Sequence, residues 1–513
     1  MVLAKTNAMS LFGLSGTLID VEVDITSQLP AFVLVGLPDA SLSEATARVR
    51  GAIANSGFSF PSRKVVVNLS PAAVPKSGSS FDLAIAVGVL VAMEVIPQAV
   101  VSGFCFIGEL GLDGAVKAVP GVLPMSLLAR DAGLEHVVVP IQNLSEAALV
   151  GDLVSRGVAS LKELVLALKG ELSLPMGDSA IPCAGLGEGD ELLDLSQVIG
   201  QDEAVEGLIV AAAGGHHISM IGAPGAGKTM LAERLPGILP PLTPEQAIEV
   251  AAVESIGGDG QAKLGLNLLP RIQAPHHSAS MASIIGGGAG MPRPGAVSRA
   301  HHGVLFMDEA LEFNGAILDA LREPLESGRI VINRSAGSAV FPARFQLVLA
   351  ANPCPCGFNG VQDKTCSCNF MAIRRYSSRL SGPVQDRIDI RLAIRPVRIG
   401  AQAGLGEASV TSAQARARVE AARALASSRL KRLGYRLNAE VPGPVLRKRL
   451  PAEPAAMKVL NRLVQEGKSS MRGFERCLRL AWTLADLDAI GKPTLEHVQA
   501  AVALRGNDQF GAM

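Results

Sequence analysis

Apolar and polar positions divide the chain into blocks before any motif is considered. Strand-like runs occur at Thr17–Ile25, Ala31–Val35, Lys64–Asn68, Phe104–Glu109 and His136–Pro140, each bounded by turn-forming residues. Between them, Ser41-Leu-Ser-Glu44 has the form of a capping box that opens a helix ending near Asn55-Ser-Gly57. Phe81–Val95 and Pro120–Ala132 predict two more helices, and Asp113-Gly114 a hairpin turn. Residues 1–172 are therefore expected to form one domain of mixed strands and helices. Residues 173–193 lose periodicity and gain Gly, Pro and acid, which reads as a linker; Cys183 within it has no partner in sequence.

A second pattern starts at Asp194. A helix at Asp202–Ala213 leads to a buried strand at His217–Ile221, and further apolar runs follow at Gly303–Met307 and Phe345–Ala351, with a fourth strand after Arg387. Residues 194–398 are expected to be an α/β module. Residues 399–513 carry only helical periodicity, at Thr411–Leu433, Pro454–Gln465, Ser470–Ile490 and Thr494–Arg505. These divisions suit the length of 513 residues, since domains run to roughly 100–200 residues each.

Charge narrows the function classes. Lys plus Arg equals Asp plus Glu, so a wholly basic nucleic-acid coat is excluded, while a local basic stripe or pore lining stays open. The longest apolar run, Leu83–Met93, falls far short of the ~20 residues that span a bilayer. No charged-then-apolar export signal opens the sequence, so a soluble cytoplasmic protein without membrane contact is expected. Seven cysteines in such a chain argue for thiols or a metal rather than disulfides.

The chemistry centres on Gly222, Ala223, Pro224, Gly225, Ala226, Gly227, Lys228 and Thr229, which fit G-x-x-x-x-G-K-[ST] between a strand and a helix. Successive backbone N–H groups and the helix's positive end then point at one place, which suits the phosphates of ATP. Lys228 brings a point charge to them, and the Thr229 hydroxyl can ligate Mg²⁺. Asp308 and Glu309 end the next apolar strand. There Asp308 can hold Mg²⁺ through a water while Glu309 orients and deprotonates the attacking water. Asn352, at the end of a third strand, can reach between the γ-phosphate and that water. Arg387, with Arg379 as the alternative, can project into a neighbouring subunit's site and neutralise transition-state charge; the plain alternative for both is a surface ion pair.

Other segments bear on what such a module grips. Ala247–Ala300 separates the phosphate-loop helix from the acidic strand and contains Pro275-His276-His277-Ser278 and a Gly-rich run at 285–290, which reads as a mobile functional segment. Residues 326–344 alternate and turn at Ala336-Gly337, a hairpin whose Arg329 and Arg334 either meet nucleic-acid phosphates or lie on an ordinary surface. A basic block formed by Arg429, Lys431, Arg432, Arg436 and Arg447-Lys448-Arg449 suits DNA or a solvated helix face equally well. Cys354, Cys356, Cys366 and Cys368 supply four thiolates for tetrahedral Zn²⁺ in the loop 354–368, or remain free thiols. His276-His277 and His301-His302 lack partners at ligand spacing and read as core or loop residues.

Two resemblances give these blocks an identity. Through PKSGSSFDLAIAVGVLVA, FIGELGLDGAVKAVPGVLP and AGLEHVVVPIQN, the first half resembles the proteolytic domain of Lon-type proteases, which implies a ribosomal-S5-like α+β core. That family cuts peptides with a Ser-Lys dyad. Ser80 matches the nucleophile, but Met125 stands at the lysine and a thioether takes no proton, so the resemblance implies a silent domain. Lys76 and Lys117 are weak stand-ins.

The motifs VIGQDEA, GAPGAGKT, APHHSAS, PRPGAVSRAHHGVLFMDE, FPARFQLVLAANPCPCG, QDRIDIR and SSMRGFERCLRLAWTLADL resemble the magnesium-chelatase-like AAA+ ATPases of the YifB/ComM type, from near residue 5 to near residue 505. The resemblance implies a P-loop parallel sheet with a C-terminal all-helical lid, assembled as a homo-hexamer that hydrolyses ATP. Single-stranded or branched DNA is the implied track, in branch migration during recombination of incoming DNA, with recombination proteins as further partners. By the same match Asn352 is sensor 1, Arg387 the trans arginine finger and Arg472 the sensor 2 arginine. The competing readings are a metal-inserting chelatase motor, an ATP-dependent protease or unfoldase, and an assembly ATPase that moves nothing.

Overall fold

The computed structural model describes residues 3–36, 39–72, 74, 76, 78–178, 183–184, 193–257, 266–288, 291–334, 337–360, 364–396 and 410–506. Most of the expected linker, the boundary near residue 398, the side chains of Ser41, Leu42 and Ser43, and that of Cys183 lie outside the described residues.

The first half is built on a seven-stranded sheet in the order Ala31–Val35, Lys64–Ser70, Ser15–Thr26, Ala4–Phe12, Phe104–Phe106, His136–Pro140, Val154–Val158. Two of these strands, Ala4–Phe12 and Val154–Val158, are not among the expected ones. Ala4–Phe12 escapes a pattern search because Thr6 and Ser10 are buried, and the Thr6 hydroxyl spends its proton on the Ala84 carbonyl at 2.9 Å. The expected strand Phe104–Glu109 is shorter than its apolar run. It leaves the sheet after Phe106, and Glu109–Leu110 pairs instead with Val116–Lys117 across the Asp113-Gly114 turn. The helices Asp39–Asn55, Asp82–Ala92 and Leu161–Leu168 share one apolar cluster with the sheet, and Val122–Asp131 belongs to another. The helix Asp82–Ala92, which takes up most of the longest apolar run, is buried from Asp82 to Val91, as a helix apolar on all sides beyond its first residue must be. Among the described residues no helix is long and apolar enough to cross a membrane.

The second sheet is wholly parallel, in the order Ile272–Gln273, Val304–Met307, Gln346–Ala351, Ile218–Gly222, Ile390–Ile394. Its edge strand comes from the segment expected to be a mobile insertion. There Pro244–Gly257 is a helix, Met281–Ile284 a single turn, Gly286–Gly287 pairs with Arg293–Pro294, and Ala296–Arg299 forms another short helix. Gly286 of the glycine run is closely packed. A Cβ on Gly286, at φ +115, would lie 2.9 Å from the Ile332 side chain.

That Ile332 belongs to the hairpin Arg329–Arg334/Gly337–Pro342, whose turn at 335–336 lies outside the described residues. One hairpin face, formed by Ile330, Ile332, Ala339 and Phe341, is buried, with Phe12 and Leu14 of the first half packed on the same cluster. Gly13, at φ +66, brings the first half's opening turn so close that an added Cβ would stand 2.9 Å from that of Ala339. The first half also grips the helix Pro244–Gly257, where the Gly121 N–H donates to the Ser255 carbonyl at 3.1 Å and the Ser255 hydroxyl to Glu146.

The carboxy-terminal helices, among them Ser412–Leu430, Pro454–Gln465, Met471–Leu487 and Leu495–Arg505, join the parallel sheet in one apolar cluster. A helix at Gly443–Arg449 adds to those expected. Under this seam lies a buried polar network. Asp389 accepts from Arg476 at 2.6 Å and bonds His216 Nδ1 at 3.0 Å, and His216 Nε2 meets the Thr483 hydroxyl at 2.8 Å.

Candidate nucleotide site

Because all five strands are parallel, their carboxyl ends open on one edge, where α/β sheets bind ligands. The strand Ile218–Gly222, between Gln346–Ala351 and Ile390–Ile394, runs into the phosphate loop, and the helix Lys228–Ile238 follows at once. Gly225 and Gly227 have φ of +76 and +92, which suits glycine. Gly222 is required for a different reason: a Cβ there would stand 2.2 Å from the Ile394 carbonyl on the neighbouring strand.

The buried Lys228 ammonium donates to the Gly222 and Ala223 carbonyls at 2.7 and 2.9 Å and to Asn352 Oδ1 at 3.1 Å. Burial lowers its pKa, and the carboxylates of Asp308 and Glu309 oppose that shift. Strand register explains the meeting with Asn352, since Ile221 pairs with Ala351, one residue before Asn352 on one strand and one before Gly222, whose carbonyl also holds Lys228, on the other. Thr229 Oγ1 lies 2.8 Å from Asp308 Oδ2, so a hydroxyl and a carboxylate stand together as hard oxygen ligands. Asp308 Oδ1 also accepts from the Glu309 N–H at 2.8 Å. Glu309 has φ +49, a left-handed conformation that costs a side-chain-bearing residue energy. The cradle, the cation and the paired oxygens fit a nucleotide triphosphate with Mg²⁺.

Sequence reasoning left out one residue of this site. His277 Nδ1 stands 3.1 Å from Glu309 Oε2, with its ring edge-on to Phe313. The Pro275-His-His-Ser motif held the signal, which becomes legible only once Ile272–Gln273 is seated beside Val304–Met307. His277 also borders a cavity of about 590 Å³ lined by Ser278, Ser280, Glu312, Asn314 and Arg379.

The remaining candidate residues lie elsewhere. Arg387 pairs with Glu326 and donates to the Pro383 carbonyl at 2.5 Å. Arg379 donates to the Leu311 carbonyl at 2.7 Å and to Glu312 at 3.0 Å. Arg472 is exposed and reaches Asp386 at 3.2 Å. Arg329 and Arg334 are exposed on the hairpin, with Arg334 beside Gly287 of the small glycine hairpin. The basic block divides. Arg429 is held by Asp486 at 2.5 and 2.8 Å and lies over the Trp482 ring, and Arg447 pairs with Glu475, while Lys431 and Arg432 are among those left exposed.

The four cysteines of the loop converge. Sγ separations are 3.3 Å for Cys354 and Cys356, 3.7 Å for Cys354 and Cys366, and 3.6 Å for Cys356 and Cys366, with Cys368 within 4.8 Å of the others. Glu249, His301 and His302 also converge. His301 Nδ1 accepts the Arg344 N–H at 3.0 Å, which puts the proton on Nε2, where it is donated to Glu249 at 2.9 Å. An Nε2–H does not ligate a metal, so this trio is a hydrogen-bonded latch. Burial holds His301 down to about 4 and neutral. In the first half, Met125 is buried in the apolar core, and the buried Lys76 ammonium donates to the Pro71 carbonyl at 2.6 Å. Ser80 is half-buried, Lys117 is exposed, and the neighbouring Ser79 bonds Glu109.

The magnesium chelatase subunit ChlI family models match residues 21–143 and 194–401, and the model of its C-terminal region matches 409–505. An uncharacterized protein of Mycobacterium tuberculosis is 46% identical over 506 residues, covering 98% of this chain and 99% of the relative. Competence protein ComM of Haemophilus influenzae is 37% identical over 509 residues, covering 98% of each chain. The chain belongs to the ComM/YifB family of magnesium-chelatase-like AAA+ proteins. Lon protease 2 of Bacillus subtilis is 26% identical over 154 residues, 27% of each chain, so a Lon-like likeness accompanies the ComM/YifB match. Use of a nucleotide with Mg²⁺ and ATP hydrolysis in general come with the AAA+ family.

Proposed function

We propose that this ComM/YifB-family protein is an ATP-driven motor that moves along single-stranded or branched DNA as a homo-hexameric ring in the cytoplasm. Branch migration during recombination of incoming DNA is the role that its likeness to a competence protein supports. The observation that carries the reading is the pair of packed hairpins on the ATPase core. Their apolar side is buried, and Arg293, Arg329 and Arg334 remain exposed. Such arginines meet phosphates without reading sequence, as a motor on arbitrary DNA requires.

In the hydrolysis step Glu309 orients the attacking water and takes its proton, while Lys228 and Asn352 hold the phosphate end. Mg²⁺ bound by Thr229 and Asp308 would supply charge neutralisation. Arg387 and Arg379 bond acidic residues of their own chain rather than their own phosphate loop, which suits donation to a neighbour's site, Arg387 being preferred. Arg472 serves as the lid's arginine at the nucleotide. The first half is an assembly domain without peptidase activity, since Met125 occupies the core and Lys76 bonds carbonyls. The four cysteines hold zinc.

ATP hydrolysis measured with and without branched or single-stranded DNA, at low and moderate salt, tests the reading. Salt-sensitive stimulation that falls in Arg329→Ala/Arg334→Ala is expected. No stimulation by any DNA overturns the DNA motor. It would favour the chelatase reading that the family match also fits, tested by magnesium-dependent tetrapyrrole metallation with added partners.

A further inference from the structure

We propose that the four-cysteine zinc knuckle braces the phosphate loop, so that nucleotide affinity depends on the bound metal; this rests on the zinc assignment above. Tetrahedral zinc with Zn–S bonds of ~2.3 Å sets its sulfurs ~3.8 Å apart, and three of the four sulfurs already lie 3.3 to 3.7 Å from one another. Cys354 is buried, and its sulfur accepts the Asn359 N–H at 3.3 Å. Such a bond orients a metal-bound thiolate from outside the ligand set.

The knuckle touches the nucleotide site at two points. Asn352, two residues before Cys354, bonds Lys228. Gly357, one residue after Cys356, lies against Pro224 of the phosphate loop: a Cβ there would be 2.5 Å from the proline Cδ, and φ is +83. Two zinc ligands therefore sit between two contacts to the loop that cradles phosphate. Among the described residues, no helix or strand occurs between Ala351 and Phe370, so no helix or sheet ladder fixes the path of this segment and a metal would supply its main cross-link. A cradle that must be ordered on binding costs affinity. Zinc removes that cost by holding Asn352 and Gly357 in place beforehand.

The test uses full-length protein, elemental analysis and binding of a fluorescent ATP analogue. The wild type is expected to carry about one zinc per chain. Cys366→Ser/Cys368→Ser is expected to lose the zinc and to bind the analogue about tenfold more weakly, with the fluorescence of Trp482, buried against Leu450, unchanged. Gly357→Val, which puts a side chain into Pro224, is expected to keep zinc and still lose affinity. Zinc-free wild type overturns the zinc assignment. Zinc in the wild type with undiminished analogue binding in both variants overturns the brace and leaves the zinc assignment standing.

Discussion

Replacing Asp389 by alanine isolates what joins the helical lid to the nucleotide sheet. The carboxylate is fully buried. Burial alone would raise its pKa, but the Arg476 guanidinium and the His216 hydrogen bond hold it below the usual carboxylate range, so it is ionised. Asp389→Ala leaves the largely buried Arg476 without its partner and facing Arg479, whose pKa burial and the Arg476 charge already lower. Breaking a buried pair from one side costs about 3–5 kcal/mol, mostly for the stranded charge. Trp482, the only tryptophan, lies in the same helix and bonds the Leu450 carbonyl at 2.8 Å, so its fluorescence during urea unfolding reports this seam. The expected result is a large fall in unfolding free energy for Asp389→Ala, most of it recovered in Asp389→Leu/Arg476→Met, where no charge is stranded. A single variant within about 1 kcal/mol of wild type would refute the reasoning. So would a double variant no better than the single one.

Three further outcomes follow from the site. Glu309→Gln keeps nucleotide binding and lowers ATP turnover about 10²–10⁴-fold; steady-state hydrolysis at the wild-type rate would remove Glu309 as the base. His277→Ala frees a carboxylate oxygen of Glu309 that now stands 3.1 Å from the imidazole, so turnover without DNA should rise at unchanged KM, and a fall would mean that His277 holds Glu309 productively. His301 gives a pH signature: its pKa is held at about 4 by burial, against ~6.5 unfolded. The unfolded state therefore binds the extra proton between these values, so stability is complete above about pH 6.5 and falls by about 3 kcal/mol as pH drops towards 4. His301→Gln should show a smaller fall in denaturant unfolding across that range, with the neutral buried His217 contributing the same background to both proteins.

Local chemistry was legible in the sequence where neighbours in the chain are neighbours in space. The strand, glycine turn, Lys228 and Thr229 are consecutive, and the apolar strand ahead of Asp308 and Glu309 is continuous. What could not be read depends on segments far apart. His277 meets Glu309 only because a two-residue strand inside a glycine-rich stretch takes the sheet edge. Arg429 looked like part of a basic face, but Asp486 and Trp482, more than fifty residues on, draw it inward. Buried Thr6 and Ser10 broke the alternation that would have marked Ala4–Phe12 as a strand.

A still longer contact, from the first half to the hairpin, bears on how that hairpin can move. The opening turn of the first half, Phe12 to Leu14, covers the apolar face of the hairpin that carries Arg329 and Arg334. The fit has little slack, because Gly13 is already within a methyl group's reach of Ala339 and Phe12 closes over Gly337. The same half holds the helix Pro244–Gly257, whose Glu249 is latched through His301 to Arg344 just beyond the hairpin. A hairpin seated this way cannot swing alone: it either carries the first half with it or slides across a packed surface and exposes Ile330, Ile332 and Phe341. Exposing three large apolar side chains costs several kcal/mol, whereas moving with the first half preserves that burial. The first half is thus better placed to travel with the hairpin as a rigid partner than to act as a passive tether.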